Sequence, residues 1–120
     1  MDPQVVPGIF VFATVPQIES VPDDVGVYST VREAEGLSVV IGYDDAHRFG
    51  LTEPVKLGWI TLTVNSSLEG VGLTAAVSGV LSEHGIACNV IAGHHHDHLL
   101  VPVDEVDAAI QLLKTLADQR

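Results

Sequence analysis

Cysteine occurs once in the 120 residues, at Cys88, so no intramolecular disulfide can staple the chain. Its stability must therefore come from a packed core. Cys88 stands in an apolar, strand-like run, where a thiol serves as a small buried side chain more readily than as a nucleophile. Basic residues are scarce: five Lys and Arg stand against sixteen Asp and Glu, a formal net charge of −11. Such a surface repels phosphate backbones and anionic lipid, which argues against nucleic acid and membranes as partners. Aromatics are only 5% of the chain, so Val, Leu, Ile and Ala must fill the interior. Long apolar runs are missing as well. The stretch 5–15 is interrupted by Pro7 and Gly8, too short to span a bilayer, and Met1-Asp2-Pro3 lacks the basic start of a secretory leader. These absences describe a cytoplasmic protein. What is abundant is apolar material, 47% of residues, enough for one compact domain or two small subdomains sharing a core.

Residues 8–15 (Gly-Ile-Phe-Val-Phe-Ala-Thr-Val), closed by Pro16, read as a buried strand. Residues 17–26 hold Pro22, Asp23, Asp24 and Gly26 and form a loop. Residues 27–33 alternate as a second strand, and Glu35-Gly36 makes a hairpin turn into a third, 37–41. Asp44 or Asp45 can cap a short helix ended by Gly50. Pro54 and Gly58 mark the joint between an N-terminal unit, 1–56, and a C-terminal one, 57–120.

The second half is more regular. Residues 59–64 alternate, with Ile60, Leu62 and Val64 on one face and Trp59, Thr61 and Thr63 on the other, a face open to packing against another sheet. Residues 65–70 form a loop. The next helix carries Leu73, Ala76, Val77, Val80 and Leu81 as one stripe and stops at Gly85. Strands follow at 86–92 and 98–101, then Asp104 can cap a last helix with the stripe Val106, Ala109, Ile110, Leu113 and Leu116. The order β-α-β-β-α puts two helices on one face of an antiparallel sheet: an α+β, ferredoxin-like sandwich.

Two joints concentrate the polar chemistry. In the loop before the first long helix, Gly70 and Gly72 allow close backbone approach, and free N–H groups of the first turn favour a carboxylate. Ser66 and Glu69 have capping-box spacing. At the other joint, His94, His95, His96 and His98 surround Asp97. On extended backbone His94, His96 and His98 share a face and could ligate Zn²⁺ or Ni²⁺. No cysteine or second carboxylate cluster accompanies them, and turn or hydrogen-bonding roles are the weightier reading. Acid–base catalysis by His96 and His98 is a third option, but no nucleophile, cofactor loop or oxyanion arrangement stands beside them. Glu33 and Glu35 beside Arg32 read as solvated charges, and His47 and His84 as helix-end residues.

Residues 65–77 (Asn-Ser-Ser-Leu-Glu-Gly-Val-Gly-Leu-Thr-Ala-Ala-Val), followed by Leu81, Gly85-Ile86 and Asn89-Val90, resemble an ACT domain. Arg32-Glu33-Ala34-Glu35-Gly36-Leu37, the Ser-Ser-Leu-Glu run and His96-Asp97-His98 resemble an uncharacterised bacterial family of tandem ACT-like proteins over residues 10–116. The resemblance implies an ACT sandwich in the second half and a partial unit in the first, where only residues 1–6 precede the opening strand. It also implies a non-enzymatic regulatory or small-molecule binding protein, amino acids being the ligand class, that forms a homodimer and needs no cofactor. Carried over, the ligand contacts are Ser66, Ser67, Glu69, Gly70, Val71, Gly72, Asn89 and Ile91, joined by His96 and His98. The rivals are a metal-binding protein using His94, His96 and His98, and an interaction module without a small ligand.

Overall fold

The computed structural model describes residues 1–63 and 70–119, with residues 70 and 71 described by backbone alone. In chain order the elements are β1 (Asp2–Val15), β2 (Val27–Glu33), β3 (Gly36–Gly42), β4 (Leu57–Thr63), α1 (Gly70–Glu83), β5 (Asn89–Ala92), β6 (His96–Pro102) and α2 (Val106–Asp118). Short 3-10 turns lie at Ile18–Ser20, Tyr43–Phe49 and Val103–Glu105. Two compact units result: Gly8–Lys56, and Met1–Pro7 with Leu57–Arg120. The first seven residues thus group with the C-terminal half of the chain.

In the unit 8–56 the strand order is β2-β3-β1, all antiparallel. Alternation decides its core: Val11, Ala13 and Val15 of β1 face the same way as Leu37, Val39 and Ile41 of β3, and Val21, Val25 and Ala46 close over them. The β2–β3 turn is Ala34-Glu35, one residue earlier than expected, because Gly36 already pairs with Glu33. Gly36 instead meets β1 closely. It has φ 143°, and a Cβ there would lie 2.8 Å from the Val15 carbonyl. Neither Asp44 nor Asp45 caps the turn Tyr43–Phe49, whose N-cap is Gly42 with no side-chain bond. Asp45 reaches Arg48 at 3.3 Å, and Arg48 clasps both Asp24 oxygens at 2.9 Å. That guanidinium holds the Asp24 carboxyl below its usual range and ties the 22–26 loop to the turn. Gly50, at φ 72°, ends the turn as expected.

In the other unit the strand order is β1-β4-β6-β5, so the strand that the β-α-β-β-α reading lacks is supplied from residues 2–7. β4 and β5 each run antiparallel to β6. Ile60 and Leu62 of β4 and Leu99 and Val101 of β6 share one face. Onto them pack Leu73, Val77 and Leu81 of α1 and Ala109, Ile110 and Leu113 of α2, with Val80, Val106 and Leu116 partly buried at the margin. Both helices therefore cover one face of the sheet, the ferredoxin-like α+β arrangement.

The helix ends are specific. Gly85, at φ 72°, lets the Ile86 N–H reach the Leu81 carbonyl at 2.9 Å, and Ile86 enters the core beside Leu81. Asp104 does not cap α2; it lies in the preceding 3-10 turn, and the N-cap, Glu105, makes no side-chain bond. Among the described residues no helix is long and apolar enough to cross a membrane.

Candidate functional site

Register decides which candidate side chains meet. Opposite the helix-covered face of β4, β5 and β6 lies a second face. On it Thr63 pairs with His96, Thr61 with His98 and Ile91, and Trp59 with Leu100 and Asn89. Four candidate binders, Asn89, Ile91, His96 and His98, therefore share one face. Asn89 stands at its far end, three residues or roughly 10 Å along β5 from the turn. Asp97 points the other way, beside Leu62 and Ala92. Residues 94 and 95 fall in the β5–β6 turn, where their rings stack at 4.8 Å, so strand alternation does not reach His94. Among the described residues no three His, Cys, Asp or Glu side chains are grouped to hold a metal ion.

Ser66, Ser67 and Glu69 lie outside the described residues, as does the side chain of Val71. Gly70 opens α1. Gly72, two residues on, has φ 88° and, among the described residues, nothing within 4 Å of where a Cβ would sit. The β5–β6 turn stands at the end of the sheet where β4 finishes, since Thr63 pairs with His96. The histidine face and the helices are on opposite sides of that sheet.

On the helix-free face stands a polar triangle of which the sequence carries no direct sign. The Trp59 indole N–H lies 3.2 Å from His98 Nδ1 and 3.2 Å from Thr61 Oγ1, and Thr61 Oγ1 is 3.0 Å from the same Nδ1. The indole can only donate, so Nδ1 is the acceptor and the ring proton belongs on Nε2. The expected open face is thus partly closed: Trp59 is 7% exposed, its ring 5.4 Å from that of His98. Alternation alone puts Trp59 and Thr61 together; the partner strand's register, which pattern reading does not supply, brings in His98. The turn adds a constraint. A Cβ on Gly93 would lie 2.9 Å from the His96 carbonyl and 3.2 Å from His98 Nε2, so only glycine fits without moving the ring. His96 Nδ1 is buried with no hydrogen-bond partner among the described residues.

Burial, and then the neighbouring His96, push the His98 pKa down, while Asp97 opposes them. The other groups facing His98 are Trp59, Thr61 and Ile91, none of which supplies a charge. A depressed histidine pKa means that the unfolded chain binds the proton more readily. The stabilisation is complete above the unfolded pKa of about 6.5 and is lost as pH falls through the lower folded value. The melting temperature is therefore expected to fall between about pH 7.5 and 5.5, less steeply in His98→Asn. Parallel pH profiles for the two proteins would remove His98 from this account. Cys88, half-buried beside the core, is pushed up by burial and stays a thiol at neutral pH.

Models of the ACT domain match the chain twice, over residues 1–56 and residues 55–115. Among solved structures, a Vibrio cholerae protein of unknown function, described as a possible transport protein, is 44% identical. It superposes with a TM-score of 0.83 over 93% of this chain and 86% of its own. An Agrobacterium tumefaciens protein at 22% identity (TM-score 0.70, 95% of this chain, 87% of its own) shares the fold. So does a structure of aspartokinase alpha and beta subunits at 11% identity (TM-score 0.69, 98% of each chain). No functionally curated protein matches. With one ACT model spanning just over half the residues and a second spanning most of the rest, the chain belongs to the ACT-domain family.

Proposed function

We propose that this chain is a non-enzymatic small-metabolite sensor that binds an amino acid at the start of α1. The ligand carboxylate meets the free N–H groups of the first helical turn, around Ser66, Ser67, Glu69, Gly70, Val71 and Gly72. The observation that carries the reading is the ACT match over residues 55–115, together with the positive φ of Gly72 within that stretch. Asn89 and Ile91 of the edge strand β5, and His96 and His98 one strand further in, lie on the face away from the helices and are left out of this site.

Asn89-Val90-Ile91-Ala92 carries no charge, and Val90 is 37% exposed. An edge without charged residues is open to pairing with another strand, and a second copy of this chain is the partner proposed.

The test is a thermal-shift screen of the twenty amino acids. One of them should raise the melting temperature by a few °C, since ligand at about a hundred times its dissociation constant adds about 2.7 kcal/mol. Gly70→Trp, with unchanged far-ultraviolet circular dichroism, should abolish the shift. Light scattering on the same samples should give the mass of a dimer. A screen in which no amino acid acts, or in which Gly70→Trp responds like the parent, defeats the proposal. A monomer mass defeats its dimeric part.

A further inference from the structure

The N-terminal unit holds a concave cleft, chemically unlike the site proposed at the start of α1. The 3-10 turn Tyr43–Phe49 and the segment after it enclose a cleft of about 280 Å³. Its form follows from two left-handed residues. Gly50, at φ 72°, stops the turn and sends the Leu51 N–H back to the Ala46 carbonyl at 3.3 Å, and Glu53, at φ 51°, bends the chain again. Ala46, Leu51 and Pro54 make the apolar part of the lining, and Tyr43, Asp44, His47 and Glu53 the polar part.

The charges in this cleft have one sign. Asp44 and Glu53 line it, and neither side chain makes a hydrogen bond or ion pair among the described residues. No lysine or arginine lines it, and the nearby Arg48 is already engaged by Asp24 and Asp45. A carboxylate or phosphate ligand would enter such a site against two like charges, and the one cation at its margin, Lys56, is laid over the Tyr43 ring. An ammonium suits it, and the same wall already receives one: Lys56 Nζ lies 4.5 Å from the Tyr43 ring centroid, over its face. The volume lies at the small end of ligand pockets, which fits a compact molecule.

We infer that this cleft binds a small primary amine, its ammonium held by Asp44 and Glu53 and its short carbon chain laid on Ala46, Leu51 and Pro54. The inference does not depend on the α1 reading: the two sites ask for opposite charges and lie in different units of the chain.

The test follows backbone amide shifts of the full ¹⁵N-labelled chain during titration with 1,4-diaminobutane. Ionic strength is held at about 0.15 M, so that charges more than about 8 Å away are screened. The expected result is a saturable change centred on residues 43–54. Asp44→Asn and Glu53→Gln should each weaken it about tenfold, the loss expected for one charge-assisted contact. Asp118→Asn, on α2, should leave it unchanged, and 1,4-butanediol, which has the chain without the charge, should produce no saturable shift. Changes that rise linearly or spread over the acidic surface overturn the inference. So do an equal response to the diol and an affinity untouched by both carboxylate variants. Gly70→Trp should leave amine binding intact, so failure of the amino-acid site and failure of this one can be told apart.

Discussion

Leu81→Ala is expected to destabilise the C-terminal unit by about 2–5 kcal/mol, the range for a leucine removed from a core that cannot collapse around the gap. Leu81 has no exposed surface and sits among Leu73, Val77, Ile86 and Leu113. Its carbonyl also receives the Ile86 N–H at 2.9 Å and the His84 N–H at 3.1 Å, closing α1. Alanine keeps that carbonyl, so the substitution tests packing and leaves the helix end in place. Alanine is also the better helix former, and the small propensity gain works against the loss without reversing it. In urea the midpoint should fall at constant slope, and the melting temperature should drop by roughly 10 °C or more. Val90→Ala, on the exposed edge strand, should change stability by no more than about 0.5 kcal/mol. A loss below about 1 kcal/mol at Leu81 would mean that α1 does not anchor this core.

The same periodicities that place Leu81 made the fold legible in advance. Both helical stripes run at spacings of three and four, and Leu73, Val77, Leu81, Ala109, Ile110 and Leu113 are all buried. Gly85 and Gly50 signal helix ends because left-handed backbone favours glycine, and both have φ 72°. Caps were less legible. Asp44, Asp45 and Asp104 stand where a capping aspartate belongs, yet none caps: an arginine three residues on draws Asp45, and a 3-10 turn intervenes at Asp104. The strand at residues 2–7 is not legible in the sequence because Pro3 and Pro7 break its pattern, and because its grouping with residues some fifty positions later leaves no local trace. The turn at Ala34-Glu35 lies one residue before the expected one because Gly36 has the signature of a turn glycine. Its positive φ instead serves the close passage of the Val15 carbonyl.

The candidate site was legible in its parts and not in its assembly. The histidine run and the glycines of the helix start are conspicuous as letters. Which face His98 occupies, and that Trp59 and Thr61 meet it there, depends on the pairing of β4 with β6 across 37 to 39 residues. Loop length and alternation restrict that register without choosing it, and a slip of one residue would reverse every side chain. The metal reading assumed extended backbone from His94 onward. The chain turns at residues 93–95, so only His96 and His98 keep the spacing that the reading needed.

Gly58→Ala tests a contact that no pattern in the sequence announces. Gly58 lies on β4 beneath the start of α2, and a Cβ there would stand 2.2 Å from Val106 Cγ2 and 4.0 Å from the Val103 Cα. A gap of 2.2 Å is far inside contact distance, so either the valine must leave its rotamer or α2 must lift from the sheet. A valine in a helix has essentially one favoured χ1, which makes the first route costly. The second loosens Ala109, Ile110 and Leu113 from the core they complete. Overpacking of this kind is expected to destabilise by about 1–3 kcal/mol, even though alanine lowers the entropy of the unfolded chain. The decisive measurement is a double-mutant cycle. Val106→Ala alone should cost less than burial of a full valine, because Val106 is only partly buried. In the Val106→Ala background, Gly58→Ala should lose most of its penalty, giving a favourable coupling of about 1 kcal/mol or more between adjacent positions. Additive effects would place the strain elsewhere and leave Gly58 without its stated reason for being glycine.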